Sequence, residues 1–349
     1  MRFAQQRPRT PLVGSWALLA VATMLATACG VGERPTLGAQ LLTSTTQAVT
    51  VIEEPASAEV ASSEAQDTAD PLGEVGELGD TPPVLMSPAG IVLAVVGIDD
   101  GGYIVQTPCG EQAVMAWGQP ISHAEVVLDP GHGGDERGAI GPDGETEAEL
   151  NLDIARRAAT KLQNSGVTVV LTRTGDYRIP IRARAAIADR LGASAFVSIH
   201  HNSPSVSPSD TPGTEVYVQV GSDTSRRLGG LVYEEVISHI SVFDVEWTSA
   251  AETGVLTVLN PSGENAYGIN RHPETPAILA ELAYISNPAE ATLLATDEYR
   301  DSAANALSRG IVRFLESDDP GSGFVEQPRL FTPSGATGGV AGCVDPILE

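Results

Sequence analysis

The chain has 349 residues, of which 42% are hydrophobic, and its mean hydropathy is +0.01. These values fit one sizeable globular domain with additional segments, and they exclude a polytopic membrane protein and a wholly disordered chain. The net charge of −25 argues against a nucleic-acid partner, because contacts to phosphates require clustered positive charge. Lys161 is the single lysine and lies in a helical pattern, so P-loop and Schiff-base chemistry lack a candidate residue.

The N-terminus has the composition of a targeting segment. Arginines precede an apolar run over residues 12–26, which has the length of a signal-peptide core and is short for a membrane-spanning helix. Small residues then lead into Cys29, a pattern similar to a bacterial lipobox, in which the cysteine becomes the lipidated first residue. We predict a signal peptide over residues 1–28 and a lipid anchor at Cys29. The alternative is ordinary cleavage after Ala28 and a secreted chain.

Three further segments flank the centre of the chain. Residues 29–83 are acidic and rich in Ala, Ser, Thr and Gly, a composition that predicts a flexible tether. In residues 84–122, two apolar runs flank Asp99-Asp100-Gly101-Gly102, which is a hairpin signal and predicts a small β appendage. Residues 318–349 are again rich in Pro, Gly and Ser and form a C-terminal tail.

The chain has three cysteines. If Cys29 carries lipid, Cys109 and Cys343 remain as a pair in an oxidising compartment. We predict a disulfide that fastens the tail to the β appendage. The alternative is two unrelated thiols, because a sequence does not fix connectivity.

Between residues 123 and 317, apolar strands alternate with amphipathic helices, which predicts a three-layer α/β domain with a twisted, mostly parallel sheet. Thr146 and Glu149 form a capping box, so a helix should begin at Glu147 and end before Gly166. Pro180 is expected at the first position of a second helix. The remaining predicted strands lie at 126–128, 167–171, 195–199 and 277–285, and the remaining helices at 225–240 and 302–315.

Candidate metal ligands stand at the ends of predicted strands. In open α/β sheets, ligands bind at the C-terminal edge of the strands. His132 follows the first strand, His200 ends a later one, and Glu147 heads the intervening helix. Two imidazoles and a carboxylate suit a catalytic zinc with one open coordination position. Taken singly, each has an ordinary structural interpretation: a surface histidine, a carboxylate at a helix dipole, and a core histidine.

Several sequence blocks resemble those of the zinc-dependent N-acetylmuramoyl-L-alanine amidases, in the family's order and spacing over about residues 125–316. Two positions depart from the family pattern. The aspartate usual shortly after the Gly-Gly is replaced by Glu136, and the residue after the ligand histidine His200 is His201, where the family commonly has a small residue. Strand alternation sends His200 and His201 to opposite faces, and the block alignment selects His200. The matching blocks are Val127 to Gly134, Glu147 with Asn151-Leu152, Leu171 to Arg173 with Asp176, Arg184 to Ala188, Ser198 to Asn202, Pro276 to Glu281, and Ser286 to Glu290.

The resemblance implies hydrolysis of the amide between N-acetylmuramic acid and L-alanine in peptidoglycan, for wall remodelling or daughter-cell separation. By position, the two histidines and Glu147 would bind Zn²⁺. Glu281 would be the catalytic carboxylate that takes a proton from water and passes it to the leaving nitrogen. From the residues alone, Glu281 has an alternative role as a buried structural carboxylate paired with Arg271 or Arg173.

Two other functions stay open at this point. A zinc peptidase acting on stem peptides would share the metal chemistry, whereas a non-catalytic wall-binding lipoprotein would not need all four key groups, which are present. The expected partners are peptidoglycan and, through the anchor, a membrane. The expected location is the extracytoplasmic face of the membrane or the cell wall. The sequence indicates neither the substrate-binding residues nor an activating protein.

Overall fold

The computed structural model describes residues 81–203, 207–331 and 338–349. The predicted signal peptide, Cys29 and all but the last three residues of the predicted tether lie outside these ranges. Within the described ranges, no helix is both long enough and apolar enough to cross a membrane.

The first described segment folds into a five-stranded antiparallel sheet. Its strands are β1 (Val84–Met86), β2 (Val92–Asp99), β3 (Gly102–Gln106), β4 (Gln112–Met115) and β5 (Gln119–Ile121). Their spatial order is β4-β3-β2-β1-β5. The turn between β2 and β3 falls at the predicted hairpin signal, where Asp99 pairs with Gly102 and its Oδ1 accepts a hydrogen bond from the Gly101 N–H at 2.7 Å.

The larger domain contains the remaining elements. In chain order they are β6 (Val126–Pro130), α1 (Glu147–Asn164), β7 (Val169–Leu171), α2 (Ile181–Arg190), β8 (Ala195–Asn202), β9 (Ser207–Ser209), β10 (Glu215–Val218), α3 (Asp223–Ile240), β11 (Trp247–Ser249), β12 (Gly254–Leu256), β13 (Val258–Leu259), α4 (Gly268–Arg271), β14 (Ala277–Tyr284), α5 (Pro288–Leu294), α6 (Asp297–Glu316) and β15 (Arg329–Leu330).

A six-stranded sheet in the order β12-β10-β14-β8-β6-β7 forms the middle layer. All its pairings are parallel except that between β10 and β14. Apolar side chains of α1, α3 and α6 share one core with one face of the sheet, while α2 and α4 contribute to a second core on the other face. The predicted three-layer, mostly parallel α/β domain is confirmed.

Local signals explain where the helices begin and end. The Thr146 hydroxyl accepts a hydrogen bond from the Glu149 N–H, so α1 begins at Glu147 as predicted. Gly166 follows the end of α1 with φ +85°, a backbone conformation that glycine adopts without a Cβ penalty. Pro180 is the N-cap of α2 and not its first residue, because its ψ of 149° is extended and the helix starts at Ile181.

The β appendage packs against the larger domain. Val84 and Val92 share a core with Ile187 and Leu191 of α2. Residues of β1 to β4 also enclose Ile179, which leads into α2. The appendage is therefore a cover over α2 as well as a sheet of its own.

The C-terminal tail follows the domain surface. β15 pairs in parallel with β13, and Phe324 packs against the main core with the Arg226 guanidinium 4.3 Å from its ring centroid. Further on, Cys343 is joined by a disulfide to Cys109, with 5.6 Å between the Cα atoms. The tail therefore contacts both the larger domain and the appendage.

Candidate active site

Three side chains converge at the C-terminal edge of β6 and β8. One ligand atom from each of His132, Glu147 and His200 lies within 4.8 Å of the other two. His132 Nε2 is 3.1 Å from Glu147 Oε2, and His200 Nδ1 is 2.9 Å from Glu147 Oε1. The structure thus brings together the three residues that the sequence singled out as metal ligands.

The backbone around these ligands is tightly constrained. His132 has φ +63°. Among the described residues, it is the only one other than glycine that has a positive φ. A non-glycine residue in this region is strained, and such strain is typical of functional sites. Gly131 lies directly against the His200 ring, where a Cβ would overlap the imidazole. The glycines around His132 are therefore needed to let the ligand side chains approach one another.

Two buried arginines hold the backbone of the loop that carries His132. Arg173 donates to the Pro130 carbonyl at 2.8 Å and to the Gly131 carbonyl at 2.9 Å. Arg184 donates to the Pro130 and His132 carbonyls, both at 2.8 Å. Burial, together with the nearby charge of Arg184, lowers the pKa of Arg173 to about 10. Sequence analysis placed both arginines in family-like blocks but did not assign them this role.

Glu147 is held at several points. It is buried, and its carboxylate accepts hydrogen bonds from the Ala139 N–H at 2.9 Å and from the His201 N–H at 3.1 Å. Burial acts to raise its pKa, but hydrogen bonds and charge from His132 and His200 outweigh this effect and hold the pKa well below its usual range. The Glu147 side chain is therefore anionic and held in a fixed orientation.

His201 points away from this cluster. Its Nδ1 lies 2.9 Å from Asn151 Oδ1 and its Nε2 lies 3.3 Å from the Tyr299 hydroxyl, on the side of α1 and α6. Burial lowers the pKa of His201 to about 3, so the ring is neutral. Strand alternation accordingly places the His200 ring, and not the His201 ring, beside the Glu147 carboxylate.

Glu281 lies beside the cluster on the neighbouring strand. In the sheet it pairs with His200 on β8 and with Glu215 on β10. Its Oε2 is buried and has no hydrogen-bond partner among the described residues. Burial raises the pKa of Glu281 well above its usual range, and the negative charges of Glu147 and Glu215 raise it further.

The two arginines considered as structural partners of Glu281 have other partners. Arg271 donates to the Asn265 carbonyl at 2.8 Å, and Arg173 is bonded to the loop carbonyls described above. A buried carboxylate oxygen without a hydrogen-bond partner, such as Glu281 Oε2, costs free energy, so it is expected where a ligand or a proton transfer uses it.

The cluster opens into a cavity of about 210 Å³. His132, His200 and Glu281 are among the polar residues that line it, and Ile181 and Leu279 are part of its apolar lining. Tyr267 also lines it. A mostly apolar cavity with a few convergent polar groups is the usual form of a small-molecule or catalytic site.

The donor set fits a zinc ion. Two imidazole nitrogens and one carboxylate oxygen are ligands that zinc prefers, and three protein ligands leave room for water or substrate. The unpartnered oxygen of Glu281 next to these donors suits a proton acceptor. Together these groups can polarise a carbonyl, activate water and move a proton.

Sequence analysis missed a second polar network that borders the site. Glu215 is buried and accepts hydrogen bonds from the Tyr217 hydroxyl at 2.7 Å and from Asn202 Nδ2 at 2.9 Å. Arg329 of the tail forms an ion pair with the same carboxylate. The alternating pattern Glu215-Val216-Tyr217-Val218 is a strand signal that would have pointed to β10, but four residues make it weak.

The chain is similar to known proteins in both sequence and structure. A family model described as N-acetylmuramoyl-L-alanine amidase matches residues 126–313. The uncharacterized protein YqiI of Bacillus subtilis is 32% identical over 211 residues, covering 60% of this chain and 91% of YqiI. The B. subtilis N-acetylmuramoyl-L-alanine amidase LytC is 33% identical over 198 residues, covering 56% of this chain and 36% of LytC.

Among solved structures, Cwp6 from Clostridium difficile aligns with a TM-score of 0.50 at 25% identity, covering 56% of this chain and 30% of that chain. The chain therefore spans most of YqiI but well under half of LytC and Cwp6. The family match includes all four candidate site residues and excludes the β appendage and the tail.

Proposed function

The chain belongs to the N-acetylmuramoyl-L-alanine amidase family, and on that premise we propose that its hydrolysis of the muramoyl–L-alanine amide in peptidoglycan depends on a zinc ion held by His132, Glu147 and His200. The observation that carries the proposal is the convergence of three zinc-type donor atoms within 4.8 Å. The residues lie at the strand edge where α/β enzymes bind their ligands.

Zinc in such a site supplies Lewis-acid polarisation of the scissile carbonyl and makes water a stronger nucleophile at neutral pH. Glu281 Oε2 accepts the proton of the attacking water, and the same carboxyl then donates it to the nitrogen of the departing L-alanine. Burial and the charges of Glu147 and Glu215 raise the pKa of Glu281, so its protonated form is stable enough to act as the acid in the second step.

The rest of the chain keeps these groups in place. Arg184 and Arg173 hold the carbonyls of the His132 loop, and the Ala139 N–H orients Glu147. Partners of metal ligands that fix their orientation are needed for both affinity and rate. The arginines therefore act as positioning residues and not as catalytic ones.

The test of zinc dependence is hydrolysis of purified sacculi with and without a chelator. Chelation should stop the reaction and added zinc should restore it. The released peptides should have L-alanine with a free amino group at their N-terminus. His132→Ala, Glu147→Ala or His200→Ala should each lose zinc and activity, whereas His123→Ala, an exposed histidine outside the cluster, should keep both. Zinc content is measured by metal analysis.

Two results would contradict this proposal. Products cut within the stem peptide would indicate a zinc peptidase. A His200→Ala protein that retains stoichiometric zinc, with His201→Ala losing it, would show that the other histidine is the ligand.

The substrate places the action of the enzyme at the cell wall. We propose that residues 1–28 direct export and that Cys29 carries a lipid anchor. The lipobox-like sequence and the acidic composition of residues 29–83 support this arrangement. In this arrangement the lipid on Cys29 would be the part of the protein that binds the membrane.

A further inference from the structure

The C-terminal tail reaches the cavity beside His132 and His200 at Gly338, which is one of the residues that line it. This part of the chain lies outside residues 126–313, the region matched by the family. Gly338 therefore adds to the cavity a surface that the family-matched region does not supply.

Gly338 joins two elements that also border the cavity. Its N–H donates to Glu136 Oε1 at 2.7 Å, and its carbonyl accepts a hydrogen bond from the Ile181 N–H at 2.9 Å. Glu136 belongs to the loop that follows His132, and Ile181 begins α2. Both residues line the same cavity as Gly338.

The contact leaves no room for a side chain at this position. Gly338 has φ +82°, and a Cβ there would overlap the Ile181 side chain. The residue that follows is held as well, because Arg178 donates to the Gly339 carbonyl at 2.7 Å. Arg178 is buried and also pairs with Glu136. Gly338 and Gly339 of the tail are therefore held at the edge of the cavity by specific contacts.

The tail is fastened a few residues further on. Cys343 is bonded to Cys109 of the appendage, and Asp345 accepts hydrogen bonds from the Thr107 hydroxyl at 2.8 Å and from the Cys109 N–H at 2.7 Å. One covalent and two hydrogen bonds therefore limit how far Gly338 can move from Glu136.

We propose that residues 338–345 of the tail form a wall of the substrate cavity, that Gly338 is a positioning residue for the muramoyl-peptide substrate, and that the Cys109–Cys343 bond keeps this wall in place. The inference rests on the proposed function, since it assigns the cavity beside the zinc ligands to that substrate. It makes substrate affinity depend on a segment that carries no catalytic group.

The test is binding of a soluble N-acetylmuramoyl tripeptide to the full chain, measured by calorimetry on the zinc-loaded Glu281→Gln background so that the fragment is not consumed. Gly338→Ala should raise Kd about tenfold, a size typical of one lost preorganised contact. Zinc content should be unchanged. The double variant Cys343→Ser/Asp345→Ala, which leaves Gly338 intact but unfastened, should shift Kd in the same direction.

Gly342→Ala is the matched control. Gly342 lies in the same tail with φ +73°, so alanine meets similar backbone strain, but a Cβ there has no atom within 4 Å. Its Kd should equal that of the parent protein. An unchanged Kd in folded Gly338→Ala protein would overturn the proposal, and so would equal shifts at the two glycines. Loss of zinc in Gly338→Ala would also overturn it, since the tail would then support the metal loop.

The same proteins with Glu281 intact separate this inference from the proposed function. If the parent chain binds the fragment but does not hydrolyse it, the proposed function fails. The role of the tail can then still be tested by comparing the Kd of the Gly338→Ala protein with that of the parent. If it hydrolyses the fragment and Gly338→Ala raises neither KM nor Kd, the wall fails and the proposed function stands.

Discussion

At the scale of single residues, the strongest functional evidence is a group that lacks a partner. Glu281 Oε2 is buried among neighbours that raise its pKa, and no described residue donates a hydrogen bond to it. Arg173 and Arg271, which would neutralise it in a structural role, are bonded to main-chain carbonyls. A general base must be able to take up a proton. A carboxylate that is removed from water and has no hydrogen-bond donor to stabilise its charge is a stronger base for this step.

We predict that Glu281→Gln lowers turnover on sacculi by about 10²- to 10⁴-fold, the usual contribution of a positioned acid–base group. Glutamine keeps the shape of the side chain but cannot accept the proton. Zinc content and melting temperature should stay near those of the wild type. Glu274→Gln, at an exposed position, is the control and should leave the rate unchanged.

The other roles for Glu281 give different results. If Glu281 is a structural carboxylate with a buried partner, the Glu281→Gln protein should lose about 3–5 kcal/mol of stability. If Glu281 is a fourth zinc ligand, the variant should lose its zinc. Near-normal activity in the variant would rule out the assigned mechanism.

At the scale of elements, one buried carboxylate ties together the strands that carry the site. Asp129 at the end of β6 accepts hydrogen bonds from Thr172 after β7 at 2.5 Å, from Ser198 on β8 at 2.6 Å and from Arg184 on α2 at 2.7 Å. Burial acts to raise the pKa of Asp129, but the Arg184 charge and these hydrogen bonds lower it below its usual value. The charged form of Asp129 therefore stabilises the fold.

This arrangement predicts acid sensitivity. Because the folded-state pKa of Asp129 is lower than its unfolded value of about 3.9, its stabilisation is present above that pH and is lost as the pH falls through the folded-state pKa. Asp129→Asn should cost about 3–5 kcal/mol at pH 7, since it leaves the buried Arg184 charge unpaired. Melting temperatures at pH 7 and pH 3.5 measure both effects.

The difference in melting temperature between the wild type and Asp129→Asn should be smaller at pH 3.5 than at pH 7. Asp143→Asn, at an exposed position, should follow the wild type throughout. A gap that is equal at both pH values would show that the charge of Asp129 does not stabilise the fold.

Elements with strong local signals could be predicted from the sequence, and those fixed by distant contacts could not. Thr146 and Gly166 mark both ends of α1 because capping uses only neighbouring backbone. β10 was missed because it is short and carries the buried carboxylate of Glu215, whose ion-pair partner Arg329 lies more than a hundred residues later in the chain. Pro180 was misplaced by one residue because its rigid φ suits both the N-cap and the first turn.

The candidate site divides in the same way. His132, Glu147 and His200 could be predicted because strand ends and a helix start place them at one edge, whereas Glu281 was assigned by the family resemblance, since the residues alone left a structural role open for it. The structure brings them together at that edge. The bonds of Arg173 and Arg184 to loop carbonyls leave no pattern in the sequence, because main-chain acceptors are the same at every residue.

At the scale of the whole molecule, the predicted anchor and tether would hold the catalytic domain near its substrate. About 50 flexible residues have an average end-to-end distance of roughly 40 Å. We predict that Cys29→Ser moves the exported protein from the membrane fraction to the soluble one, measured by fractionation and immunoblotting. Cys343→Ser, which removes a cysteine outside the leader, should stay with the membrane. A wild-type chain found soluble would refute the anchor.

The Cys109–Cys343 bond joins positions 234 residues apart, on either side of the catalytic region, and so makes that region a closed covalent ring. Chain-entropy arguments assign about 5 kcal/mol to closing a ring of this size, through restriction of the unfolded chain. Such a ring closes only where thiols oxidise. If residues 1–28 direct export as predicted, the chain would cross the membrane before this bond forms, while it is easier to unfold, and it would become harder to unfold once the bond closes in an oxidising compartment.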